Sequence, residues 1–115
     1  MHAFEVTDLQ QQRRQGENLY LEFLRVPAIS MGLYELAAGS HDPQEPHSED
    51  EVYYVVSGRG MIRVGDEDRA ISPGSIVYVT AHVEHHFHSI SEDLSILVFF
   101  APAERSLATT RSSNQ

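Results

Sequence analysis

The sequence predicts an all-β fold, an antiparallel jelly roll or small barrel. Three observations carry that expectation. Short runs rich in Val, Ile, Tyr, Phe and Leu recur through the chain, Gly, Pro, Asp and Ser punctuate them at close intervals, and no helical crossover separates them. A parallel sheet would need such crossovers, so consecutive antiparallel strands are the economical reading.

Residues 7–16 (TDLQQQRRQG) come first, with Thr7 as a candidate N-cap, helix-favouring Gln and Arg behind it, and Gly16 as a stop. They predict one short, exposed helix or turn. Strand-like runs follow at 19–26, 30–38, 51–57, 60–65, 68–72, 76–80, 84–89 and 94–100. Ser57-Gly58-Arg59-Gly60, Gly65-Asp66-Glu67 and Ser72-Pro73-Gly74 combine residues that tolerate positive φ or preset a turn, and are expected to join strands. The run LSILVFF at 94–100 is apolar on both faces. It is expected to be a doubly buried strand or one covered by a partner, which suggests a homodimer. Beyond Phe100 the chain is short of large apolar residues, and a mobile tail is expected after about Pro102. The expected organisation is an N-terminal arm (1–18), a barrel (19–101) and a tail (102–115).

Composition narrows the function. A chain of 115 residues and 12.9 kDa has room for one domain with one core. Seventeen acidic against eight basic residues give a formal charge of -9, whose field repels phosphate backbones and anionic lipids; nucleic-acid and membrane partners are not expected. All the basic residues are arginine, so lysine Schiff-base chemistry is excluded. With no cysteine, thiolate zinc sites, iron–sulfur clusters, disulfides and cysteine nucleophiles are excluded too. The N-terminus MHAFEVTD lacks a basic flank and apolar run, so a cytoplasmic protein is the expectation.

The most informative segment is GSHDPQEPHSEDE, from Gly39 to Glu51. Residues 45, 47, 51, 53 and 55 share parity, so an extended chain would turn Glu45, His47, Glu51, Tyr53 and Val55 to one side. In the run 84–89, His85 and Phe87 share one face while His86 and His88 share the other. Imidazoles and carboxylates converging in this way are suited to a metal cation. Tyr53 could add a phenol that orients a substrate or donates a proton, although tyrosine is also a common strand former. Phe87 is expected to wall the cavity, and His86 and His88 to face solvent.

The pattern Gly39, five residues, Glu45-Pro46-His47, three residues, Glu51, six residues, Gly58 resembles the first motif of the cupin superfamily. Gly74, five residues, Thr80-Ala81-His82, two residues, His85 is similar to its second. The resemblance spans roughly residues 30–101 and implies a small single-domain cupin, a double-stranded β-helix. By position it implies metal ligands at Glu45, His47, Glu51 and His85. Glu45 stands where the family has a histidine, Thr80 where it usually has proline, His82 where it usually has glycine, and Ser89 where asparagine is common.

If Glu45 ligates, two carboxylates neutralise a divalent ion. If it does not, His47, Glu51 and His85 form a two-histidine, one-carboxylate set of the type associated with non-haem iron. His41 and Gln44 are the nearby substitutes. The donor types favour Fe or Mn, with Ni or Zn compatible. The expected function is a mononuclear metalloenzyme of dioxygenase type acting on a small organic molecule. The alternative is a non-catalytic module that binds a small molecule or a metal.

Overall fold

A computed structural model gives the structure of the protein and describes residues 1–106. Helix α1 (Val6–Gln15) precedes six strands: β1 (Tyr20–Val26), β2 (Ile29–Leu36), β3 (Asp50–Val64), β4 (Glu67–Ile71), β5 (Ile76–Val79) and β6 (His85–Ala101). Every strand pairing is antiparallel, in the order β1-β2-β6-β3-β4, with β5 pairing the first part of β3 on the same edge that β4 pairs farther along. The expected all-β jelly roll is what the chain forms.

The long strands β3 and β6 make the barrel. The first part of β3 pairs with β5 (Glu51 with Val79) and with the end of β6 (Glu51 with Phe100). Its second part pairs with β4 (Val64 with Glu67) and with the start of β6 (Val64 with His85). Each strand therefore serves both ends of the roll. Tyr53, Val55, Ile62, Phe87, Ile96, Val98 and Phe100 fill the space between.

The expected turn at Ser57–Gly60 is corrected: β3 runs straight through it. The glycines there serve a bulge, not a hairpin, because the register with β6 shifts at Val55/Ser57, Ser57/Arg59 and Arg59/Met61. Gly58 adopts φ 96°, and a Cβ on it would lie 2.2 Å from the Asp93 carbonyl oxygen. By the same token the runs 84–89 and 94–100 belong to one strand, β6. Its alternation is broken at Ser89 (φ 49°), which is exposed although it shares parity with His85 and Phe87. The other two expected turns do join strands, Gly65-Asp66 linking β3 to β4 and Ser72–Ser75 closing by a 2.9 Å hydrogen bond before β5.

Helix α1 starts at Val6, one residue before the expected cap, and the Glu5 side chain makes no capping bond. It is held on the sheet by Leu9, by Gln10 donating to Ser95 Oγ (3.0 Å), and by Arg13 and Arg14 on Glu35 (2.7 and 3.1 Å). No helix among the described residues is long and apolar enough to cross a membrane. The expected mobile tail falls mainly on 107–115, outside the described residues. Within 102–106, Ala103 is buried and its N–H donates to Pro27 O at 3.3 Å.

Candidate metal centre

β3 and β6 carry two of the three principal residues. Glu51 is the second residue of β3 and His85 opens β6, both pointing inward by the alternation that also buries Tyr53, Val55 and Phe87. His47 lies in the loop before β3, where its carbonyl accepts the His82 N–H at 2.7 Å and its ring packs 4.8 Å from that of Phe100. One donor atom from each of His47, Glu51 and His85 falls within 4.8 Å of the others. His85 Nε2 stands 2.7 Å from Glu51 Oε1, and His47 Nδ1 stands 3.2 Å from the same oxygen.

These atoms stand at ion-pair distances but outside hydrogen-bond geometry. His47 Nδ1 and both Glu51 oxygens are buried and have no hydrogen bond of normal geometry. Buried polar atoms ordinarily find partners, so three orphans around one point imply something between them. His85 sharpens this. Its Nδ1 lies 2.8 Å from the Val83 carbonyl, which can only accept, so Nδ1 carries the proton and donates. In the neutral ring, Nε2 is then a lone pair facing Glu51 Oε1 at 2.7 Å and Gln44 Oε1 at 3.2 Å. Three electron-rich atoms meet there, and only a proton or a cation makes the arrangement favourable.

The carboxylates favour a proton on each ring. Burial opposes charge on His47, but Glu104 and Glu51 outweigh it and hold its pKa up at about 9. Burial likewise opposes charge on His85, and Glu51 with the Val83 carbonyl raises its pKa nonetheless. Glu51 feels burial pushing its pKa up, yet the two imidazoles hold it below the ordinary carboxylate value. A divalent ion held here would fill the same electrostatic role.

Glu45, the remaining expected ligand, lies outside the converging set. Glu45 is exposed, and Gln44 is the residue turned inward. Parity counted from Glu51 fails there because Pro43 and Pro46 keep the loop out of the sheet until Asp50. The Gln44 amide is oriented by its neighbours: Nε2 donates to Asp42 Oδ2 at 2.6 Å, while Oε1 accepts the Tyr53 hydroxyl at 2.9 Å. Asp42 is buried and also accepts the Phe87 N–H at 2.8 Å and the Tyr34 hydroxyl at 2.5 Å. The amide oxygen is therefore presented to the centre.

Tyr53 is 1% exposed and its hydroxyl is committed to Gln44, which gives it an orienting part and leaves no free phenol for proton transfer. Burial, then the Glu51 charge, raises its pKa well above the ordinary value. Phe87 packs edge-on against Tyr53 at 4.9 Å, as expected of a cavity wall. His41 and His82 are exposed and outside the converging set. His86 and His88 face away, and His88 Nε2 lies 2.7 Å from Asp68 Oδ1 on the outer surface.

Glu104 was not singled out from the sequence. Its Oε2 lies 3.3 Å from His47 Nε2, and it comes from the segment after β6. Nothing in the sequence near Glu104 signals this, because 57 positions separate it from His47 and only folding brings them together. A cleft of about 860 Å³ opens above the centre, walled by Tyr20, Tyr34, Val98 and Phe100, and lined by five glutamates but one arginine.

The cupin domain family matches residues 32–100, more than half of the chain. The chain belongs to the cupin family. This cupin is 52% identical over 104 residues, 90% of its length, to an uncharacterised protein of Streptomyces coelicolor, of which it covers 99%. It is 30% identical over 56 residues to the acireductone dioxygenase of Bacillus pumilus, spanning 44% of this chain and 31% of that one. Among solved structures it resembles an RmlC-like cupin with a double-stranded β-helix fold from Methanocaldococcus jannaschii. That match has a TM-score of 0.66 at 19% identity and covers 72% of this chain and 78% of the other. This last likeness speaks to the fold alone.

Proposed function

We propose that this cupin is a mononuclear metalloenzyme of dioxygenase type in which His47, Glu51 and His85 hold a divalent ion, Fe or Mn by preference. The observation that carries the reading is the set of buried, unbonded donor atoms on His47 and Glu51 facing the His85 lone pair. The partial likeness to an acireductone dioxygenase supports the reaction class. Two neutral nitrogens and one carboxylate would leave a divalent ion held by His47, Glu51 and His85 a net positive charge, and iron so held would supply Lewis acidity and dioxygen chemistry.

The chain's own residues define the rest. Val83 O sets the His85 tautomer, and Asp42 with Tyr53 holds the Gln44 oxygen at the centre. Tyr20, Tyr34 and Phe100 give the cleft an apolar wall against which a small organic body packs. The glutamates of the lining disfavour anionic substrates, so a neutral or cationic one fits best.

Metal analysis of untagged protein, followed by reconstitution with Fe, Mn, Ni or Zn, tests the centre. One equivalent of metal is expected in the wild type, with loss in His47→Ala and His85→Ala; failure of all four metals to bind refutes the proposal. Oxygen uptake with diketones, thiols and phenols then tests the reaction. A stoichiometric ion with no uptake on any of them would leave the non-catalytic binding module as the better reading.

A further inference from the structure

The outer face of the sheet is apolar where polar side chains are the rule. An antiparallel sheet whose inner face fills a core ordinarily turns its polar residues to water. Here the cross-strand register lines up Leu24, Met31, Phe99, Val52 and Tyr78 in one row across β1, β2, β6, β3 and β5. Leu21, Leu33, Leu97, Tyr54 and Ile76 form the next row across the same strands. Alternation sends both rows outward, because the intervening Tyr34, Tyr53, Val98 and Phe100 pack in the core. Neither row contains a charged side chain. The run 94–100 is apolar on both faces because Leu97 and Phe99 lie here.

Helix α1 covers only part of this face. It packs on β1 and β2 and reaches the adjoining Glu35–Ser95 pair through Gln10, Arg13 and Arg14. Away from the helix, on β3 and β5, Tyr54 is 39% exposed, Tyr78 59% and Ile76 66%. With Val26, whose partner Ile29 continues the face past Met31, these are four of the seven exposed large hydrophobics among the described residues. Exposure is therefore concentrated on one surface, which marks a contact site, and not scattered singly.

Charge selects the occupant. The chain carries a formal charge of -9, and a two-fold contact sets each surface group against the same groups of its copy, so an acidic patch would repel itself. A face without charged side chains meets a second copy free of that penalty. A basic partner would be drawn instead to the carboxylates that this face lacks. Residues 107–115 (LATTRSSNQ) supply one large apolar side chain, too little to cover two rows of five. We propose that a second copy of this chain covers the face, the two sheets packing outer face to outer face, about 10 Å apart, around a two-fold axis. Val52 and Tyr54 alternate along β3 with Glu51 and Tyr53, so the contact backs the wall that carries the candidate centre. The proposal stands independently of the metal reading.

Sedimentation velocity on untagged protein between about 1 and 100 μM tests it, because mass action favours a dimer as concentration rises. The wild type should sediment with twice the 12.9 kDa of one chain. The double variant Ile76→Glu, Tyr78→Glu should raise the dimer dissociation constant about 100-fold or more, since each change puts a carboxylate into the core of the contact. Both positions are exposed in the single chain, so its circular-dichroism spectrum should be unchanged. Tyr54→Arg, on the neighbouring strand, should weaken the dimer in the same way and keeps the test decisive if the double variant misfolds. A wild type that is monomeric throughout leaves the face to a foreign partner or to residues 107–115 and overturns the proposal. A dimer equally tight in the folded variants overturns it too, as does open-ended growth beyond two copies.

Discussion

Replacing Gln44 by alanine separates the structure's version of the site from the one that position in the motif implies. Besides facing His85 Nε2, the side chain accepts from Tyr53 and donates to Asp42. Tyr53 is 1% exposed, so its hydroxyl cannot turn to water, and stranding it costs about 1–3 kcal/mol. Asp42 keeps the Tyr34 hydroxyl and the Phe87 N–H, so losing the amide costs it only about 1 kcal/mol. Together the variant should be about 2–4 kcal/mol less stable, a fall of about 8–16 °C in Tm for a domain of this size. Zinc affinity should fall about 10–100-fold as well, because an oxygen 3.2 Å from His85 Nε2 disappears. Glu45→Ala, at an exposed position, should change stability by no more than about 0.5 kcal/mol and leave zinc affinity as it was. Thermal melting and chelator competition on both variants are the assays. If Glu45→Ala weakens zinc as much as Gln44→Ala does, or Gln44→Ala melts with the wild type, the reasoning is wrong.

Zinc affinity should fall as pH drops below the His47 value of about 9, by about tenfold per pH unit for each proton the ion displaces. Competition titrations between pH 6 and 8 check this, and a flat profile contradicts it. Glu35 bears on acid stability. Burial raises its pKa, but Arg13, Arg14 and Ser95 prevail and hold it below the ordinary 4.5. Its stabilising contribution is therefore complete above that value and is lost as pH falls through the depressed one. Glu35→Gln should cost about 1–2 kcal/mol at pH 7, discounted for the exposed Arg14, and flatten the decline of stability below pH 4.5 in urea titrations. Gly32→Ala places a Cβ 2.1 Å from the Tyr20 phenol carbon and oxygen, and should destabilise by about 1–3 kcal/mol. That penalty should vanish in a Tyr20→Ala background; simple additivity of the two changes would show that the ring is not the obstacle.

Most of the strand content was legible because it depends on local chemistry. Val, Ile, Tyr and Phe alternating between turn residues specify β1, β2, β4 and β5 within two residues or so. Where the expectation failed, the same residues serve two structures. Gly58 and Gly60 suit a hairpin turn or a bulge equally well, and the long-range pairing of β3 with β6 decides for the bulge. His47, Glu51 and His85 were readable because motif spacing and strand parity agree on them. Glu45 falls outside the converging set because parity holds only along a strand, and two prolines keep its loop out of one.

By itself, then, the sequence determined the all-β class, the absence of lysine and thiol chemistry, and the three residues that converge. These follow from residue type and short-range periodicity, which act over a few positions. Tertiary structure alone decided that Gln44 faces the centre, that Tyr53 is spent holding it, and that Glu104 meets His47. Such contacts depend on side-chain direction in loops and on a clasp between the β1–β2 hairpin and the segment after β6. No local rule fixes either, because both are set by which distant surfaces the closed barrel brings within hydrogen-bonding reach.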